Sequence, residues 1–379
     1  MIDLASVIRP GDGIIWGQAC AEPQTLVEAL VAQRARLGGV AAFLGSSYSG
    51  IVTPAHADHL RLSSYCATGR NRALADAGVL DILPVPYSQL GFLIKNKSIA
   101  CDVLMLQVSP PNSRGEYSLG LGVEYLAAAL GVARAVVAEV NDQVPWTNTE
   151  PLLKEGDFHL KVEVSRRPVE VPTAKPGALE EAIARHAAAL VPEGATLETG
   201  IGVLPNAVLS ALRGRKGLRM HTGAIPDGAT GLDLVSCVGG VLIGTPRLFD
   251  WARDNPKLRL RSSEATHGAA ALGRIERFVA INAALEADLT GQVNGESANG
   301  RYIGAVGGAL DFVRAANQSP GGLSIVLIPG SRIVEKLSGP VSVPRSEAGF
   351  IVTEHGSADL RGCGLRERER RMRAISGNS

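Results

Sequence analysis

Between Thr196 and Asp233 the sequence TLETGIGVLPNAVLSALRGRKGLRMHTGAIPDGATGLD carries two glycine turns. They lie one strand–helix–strand unit apart. The first is Gly200-Ile201-Gly202, running on through Val203-Leu204-Pro205. The second is His221-Thr222-Gly223-Ala224. Glycine lets backbone N–H groups come close to a ligand, and a helix start adds positive partial charge. Such a pair of turns suits an anion or a carbonyl oxygen that gains charge. Groups that handle protons stand beside them. His221 fits either a base toward water or a positioning role. Glu198 fits either a reactive acid or a carboxylate bonded to turn N–H groups. Asp227-Gly228 reads as turn chemistry, and Asp233 follows. Gly-Ile-Gly alone is a common tight turn; the second turn one unit later is what makes the stretch a candidate site.

The elements that would position these residues are short apolar strands and amphipathic helices. Thr196 onward reads as a strand, and Pro205 sits just inside a helix, where its missing N–H costs nothing. Leu218 to His221 reads as the next strand. In open parallel sheets ligands sit beyond the carboxyl ends of such strands. Residues Pro10 to Leu30 repeat the grammar of Pro192 to Leu212: an acidic-Gly or Gly-rich entry, a strand, a small-residue turn, a proline and a helix. The repetition predicts two tandem, similar α/β domains with mostly parallel sheets. The expected boundaries are 1–172 and 173–379, with the polar, proline-punctuated stretch 158–176 as connection. Val40 to Leu44, Asp81 to Pro84, Val103 to Val108 and Ala135 to Val140 read as strands of the first half. Arg70 to Ala77 and Leu121 to Ala133 read as helices. In the second half Leu179 to Leu190 reads as a helix, Val241 to Thr245 and Phe278 to Asn282 as strands. The charged run Leu365 to Arg373 reads as a solvated helix.

Several further stretches carry specific residues. Val108 to Gly120 reads VSPPNSRGEYSLG, and Asn141 to Pro145 follows the next strand. Ser109 and Asn141 fit turn chemistry or a lining role. Ile281 to Glu296 reads INAALEADLTGQVNGE, Gly304 to Val313 reads GAVGGALDFV, and Val352 to Gly362 reads VTEHGSADLRG. The glycine loop lacks the Lys-Ser/Thr ending of a phosphate-binding P-loop.

Together these motifs resemble the acetyl-CoA hydrolase/acyl-CoA:carboxylate CoA-transferase family over nearly the whole chain. The resemblance implies a CoA-transferase-like fold with the active site in a cleft between two domains. It implies coenzyme A as substrate and product, an acyl-CoA and a carboxylate acceptor as partners, and a homodimer. It implies CoA contacts from the turn Gly200, Ile201, Gly202, Val203, Leu204 and from the loop Gly304, Gly307, Gly308. In the resembled enzymes a glutamate attacks the thioester, because a carboxylate can form the acyl anhydride. That glutamate falls on Gly223, which has no side chain. The expectation is therefore a hydrolase or transferase on a small acyl-CoA, with Glu198 or His221 activating water. The alternative is a CoA-binding homologue without turnover, or a subunit of a larger complex. A nucleotide-dependent oxidoreductase is disfavoured, because no G-x-G-x-x-G follows a strand with an acid about twenty residues on.

Bulk composition narrows the rest. A net charge of +1 and only 4% aromatic residues give no electrostatic or stacking case for nucleic acid. No apolar run approaches the ~18 residues that cross a bilayer, and no signal peptide is visible at MIDLASVIRPGDG. The five cysteines are far apart and show no C-x-x-C, so a zinc site or disulfide framework is not expected. A cytoplasmic protein with reduced thiols and no bound metal is the reading.

Overall fold

In the computed structural model, residues 2–377 are described. The chain forms two compact units. The first comprises Met1–Val171 with Gly239–Ala265, the second Pro172–Val238 with Thr266–Ser379. The segment Gly239–Ala265 packs with the first unit although the surrounding chain belongs to the second.

The first unit is a parallel sheet. Its strands are β1 (Gly13–Trp16), β2 (Val40–Leu44), β3 (Leu60–Ser64), β4 (Leu80–Ile82), β5 (Val103–Val108), β6 (Ala135–Asn141) and β7 (Leu160–Val164), with helix α1 (Gln24–Gln33) after β1. The order across the sheet is β4-β3-β2-β1-β5-β6-β7, every neighbour parallel. Helices cover both faces of such a sheet, so its central strands are mostly apolar; β5 and β6 are buried at every position, with Gln107, Glu139 and Asn141 as their polar members.

Two expectations change here. Leu160–Val164, read as part of a connection, is strand β7 and pairs in parallel with β6. Its mixed polarity is that of an edge strand, half covered, which a linker also shows. Residues 121–133 are helical only over Leu126–Leu130. Gly120 at φ +61° and Glu124 at φ +42° hold left-handed backbone, which interrupts a helix there. Leu121–Tyr125, which includes Glu124, is buried as irregular chain instead.

The second unit opens with helix α2 (Ala178–Leu190), whose Glu180 side chain accepts the Gly177 N–H at its start (2.8 Å). Its strands are β8 (Thr196–Thr199), β9 (Arg219–His221), β10 (Cys237–Gly239), β11 (Phe278–Ala283), β12 (Leu323–Leu327), β13 (Phe350–Thr353) and β14 (Gly356–Asp359). Helix α3 (Val203–Ala211) joins β8 to β9, α4 (Ala309–Gln318) precedes β12, and α5 (Leu365–Ser376) ends the chain. Among these strands the order is β10-β9-β8-β11-β12-β13-β14 in an eight-stranded sheet, parallel except for the β13–β14 hairpin. From β10 through β13 this is the strand order of the first unit from β3 through β7. The fold is a mixed α/β architecture with mostly parallel sheets, built twice.

On α4 the buried residues Phe312, Val313 and Ala316 form one face. Phe312 and Phe278 of β11 meet with ring centroids 6.2 Å apart. Each buried phenyl stabilises the unit by roughly 1.5–3 kcal/mol. That packing ties the helix following the glycine loop to the sheet under the candidate site.

Candidate functional site

Strand β8 is where the order of the second sheet reverses: β9 lies on one side and β11 on the other. The carboxyl ends of these three strands carry most of the predicted residues. At the end of β8, the Gly200 N–H completes the ladder to Ile281 O (3.0 Å). The chain then turns at Gly202, with φ +115°, into α3. A side chain at Gly202 would meet no atom within 4 Å, so the turn presents bare backbone to open space. Ile201 is 36% exposed. Asn206 ties this turn down: its Nδ2 donates to Gly202 O (2.9 Å), and its Oδ1 accepts the Gly228 N–H (2.9 Å).

The second turn is bound to the first. Thr222 Oγ1 donates to Thr199 O (3.0 Å), and Thr199 N–H donates back to Thr222 Oγ1 (3.4 Å). Gly200–Gly202 and His221–Gly223 therefore end adjacent parallel strands and are held in register by one buried hydroxyl.

Glu198 is 2% exposed on β8, and Asn282 Nδ2 of β11 donates to its Oε2 (2.7 Å). Burial pushes its carboxyl up to about 8, against the opposing pull of the Asn282 bond. It stands protonated through neutral pH. In its protonated form such a group donates a proton or a hydrogen bond.

His221 Nε2 lies 3.0 Å from Thr266 O. A carbonyl only accepts, so Nε2 carries the proton. This bond ties the segment holding Thr266 and His267 to β9.

His267, which belongs to none of the motifs above, is the new member. It ends a short helix, Ser263–His267, and is buried. Its Nδ1 shares a hydrogen bond with Thr266 Oγ1 (2.8 Å), and its ring packs on Phe312 with centroids 4.6 Å apart. A Cβ placed on Gly223 would lie 2.8 Å from His267 Cε1 and Nε2; one on Gly308 would lie 2.6 Å from Nε2. The imidazole thus sits between the second turn and the glycine loop. Burial, with the neighbouring His221, lowers its pKa to about 3, so the ring is neutral at pH 7. Nothing in its local sequence, SSEATHGAA, links it to Gly223; only the fold does.

In the loop, Gly304 is required by close backbone approach: a Cβ there would lie 2.1 Å from Gly295 O. Gly307 has φ +57°, and Gly308 starts α4. Asp227 opens a short 3-10 turn, Asp227–Gly231, whose Thr230 Oγ1 donates to Asp227 O (2.9 Å). In the first unit, Ser109 Oγ donates to Pro110 O (3.0 Å), and Asn141 Nδ2 donates to Arg166 O (2.7 Å). Both serve turns. Among the described residues, no group of three or more His, Cys, Asp or Glu side chains is placed to hold a metal ion. No helix of the described residues is long and apolar enough to cross a membrane.

Comparison with known proteins matches residues 2–154 to the acetyl-CoA hydrolase/transferase N-terminal domain and residues 244–378 to the corresponding C-terminal domain. The two glycine turns fall between those stretches, but full-length relatives span them. The chain is 31% identical to the 4-hydroxybutyrate coenzyme A transferase of Clostridium kluyveri over 97% of its length and 91% of that protein. It is 31% identical to the succinyl-CoA:acetate/propanoyl-CoA:succinate CoA transferase of Fasciola hepatica, over 82% of this chain and 70% of that one. Its fold matches the crystal structure of RipA from Yersinia pestis with a TM-score of 0.93 at 28% identity, covering 99% of this chain and 92% of RipA. Its mostly parallel α/β architecture agrees with these matches, and the chain belongs to the acetyl-CoA hydrolase/transferase family.

Proposed function

We propose that this chain acts on a small acyl-CoA thioester, by hydrolysis or by transfer to a carboxylate, without a glutamyl intermediate on the protein. The observation that carries this is the surroundings of Gly223. In the motif resemblance this is the position of the attacking glutamate. Here the groups nearest to a Cβ at that position are an imidazole and a phenyl ring. Burial favours the neutral form of Glu198, the acid at the neighbouring turn, which speaks against its serving as a carboxylate nucleophile. In hydrolysis, water adds to the thioester carbonyl and the C–S bond breaks. The acid and the CoA thiol then share the two protons of that water. The open turn at Gly202 offers backbone to the CoA chain or the carbonyl oxygen, as does the loop Gly304–Gly308. The setting we infer is a cytoplasmic homodimer; all five cysteines are free thiols, as a reducing compartment would leave them.

The test is a panel of short acyl-CoAs incubated with and without added acetate or succinate. Thioester loss with free acid appearing in buffer alone identifies a hydrolase. Loss only with added carboxylate identifies a transferase. A second reading is favoured by the burial of His267: a homologue that binds CoA and does not turn it over. CoA binding by calorimetry with no thioester loss under either condition replaces the first reading by that one.

A further inference from the structure

We propose that His267 decides which chemistry this site can carry out: its imidazole takes up the volume that any side chain at 223 needs. Gly223, His267 and Gly308 form one fitted set. This rests on the functional reading above for its meaning, but the geometry stands independently of turnover.

The ring has no way to recede. On one side it meets Gly223, where an added Cβ would lie 2.8 Å from two of its atoms. On the other it meets Gly308, where an added Cβ would lie 2.6 Å from Nε2 and 3.0 Å from the Phe312 ring. Phe312 packs against the imidazole and is itself backed by Phe278. Thr266 holds Nδ1, and Thr266 O is fixed in turn by His221. His267 is 5% exposed, so swinging outward would abandon a packed position. Gly223 itself is not among the residues with positive φ. Its backbone accepts any residue, so the ring alone excludes a side chain there.

The consequence is specific. Restoring a glutamate by Gly223→Glu is not enough to restore glutamyl chemistry, because the carboxylate has no room until the imidazole is removed. With His267 gone, the carboxylate can attack acyl-CoA. One of its oxygens then leaves with the acyl group as the free acid, and the CoA sulfur becomes bonded to the glutamyl carbonyl. The chain gains the mass of CoA less one water.

The experiment is a double-mutant cycle followed by two measurements. The first is thermal. Gly223→Ala alone adds one methyl and is expected to lower Tm by several degrees; in a His267→Ala background the same methyl is expected to cost nothing. The second is covalent. After incubation with acetyl-CoA, intact-mass measurement is expected to show no adduct on Gly223→Glu and a CoA adduct on the Gly223→Glu/His267→Ala chain. Equal Tm losses from Gly223→Ala in both backgrounds overturn the proposal. So does an adduct on the single Gly223→Glu variant equal to that on the double. Where the charged double variant does not fold, the alanine cycle decides by itself. A wild-type chain that leaves acyl-CoA intact removes the functional reading and leaves the result of the alanine cycle untouched. Additive Tm changes remove the fitted set and leave the functional reading in place.

Discussion

The two sheets share a strand order, yet the central strand of each ends differently. In the first unit, the chain after β1 turns inward: Gly17, Gln18, Ala19 and Cys20 are all buried. Gln18 is saturated there. Its Nε2 donates to Glu124 (2.7 and 2.9 Å) and to Tyr87 Oη (2.9 Å), and its Oε1 accepts from Ser46 N–H (2.7 Å) and Tyr65 Oη (2.9 Å). In the second unit, the chain after β8 turns outward, with Gly202 facing open space and Ile201 partly in solvent. The same position in the sheet is a closed polar knot in one case and an uncovered backbone turn in the other. A repeated fold supplies equivalent places for a ligand, and local side chains decide which of them stays available.

The largest effect that tests this contrast is on stability. Gln18→Ala strips partners from Glu124 and Tyr65 in a fully buried place. It is expected to cost about 2–5 kcal/mol, since each buried group left unpaired costs roughly 1–3 kcal/mol. Ile201→Ala is expected to change stability by less than about 0.5 kcal/mol and to show itself in KM for acyl-CoA instead. Urea unfolding midpoints of the two variants separate the cases; equal midpoints break the contrast.

A smaller effect concerns pH. Glu124 and Glu198 are each pushed up to about 8 by burial, one in each turn region. A carboxyl with a raised folded-state pKa keeps a proton that the unfolded chain releases above its ordinary 4.5. Its contribution is complete below pH 4.5 and is lost as pH rises through 8. Glu198→Gln keeps the acceptor for Asn282 and removes the titration, so the decline in stability between pH 5 and 8 is expected to flatten by up to about 1.4 kcal/mol per pH unit. An unchanged slope contradicts the neutral acid. His267 has the opposite sign. Its folded pKa is lowered from 6.5 to about 3, so its share of stability is lost as pH falls through that window. His267→Gln is expected to flatten the acid side of the same Tm-against-pH curve.

Much of this was legible from residue order. The βαβ unit around Gly200–Gly202 and Gly223 was, because strand ends marked by glycine and a helix opened near proline are local signals. The doubling was, from the shared grammar of Pro10–Leu30 and Pro192–Leu212. Strand β7 was not, because an edge strand's half-polar pattern resembles a connection. The helix expected over 121–133 shrank to five residues because left-handed backbone at Glu124 has no composition signal. His267 was invisible for another reason: its meaning comes from facing two glycines distant in sequence, and an absent Cβ leaves no mark on periodicity.

The proposed function depends on acyl-CoA being processed without the chain becoming acylated or carrying CoA. Intact mass reads this without an intermediary, on the wild-type chain sampled during turnover of the acyl-CoA that it consumes fastest. Falling thioester with an unmodified mass at every time point is the expected result. A CoA-sized or acyl-sized increment that forms and decays at the rate of turnover would contradict it.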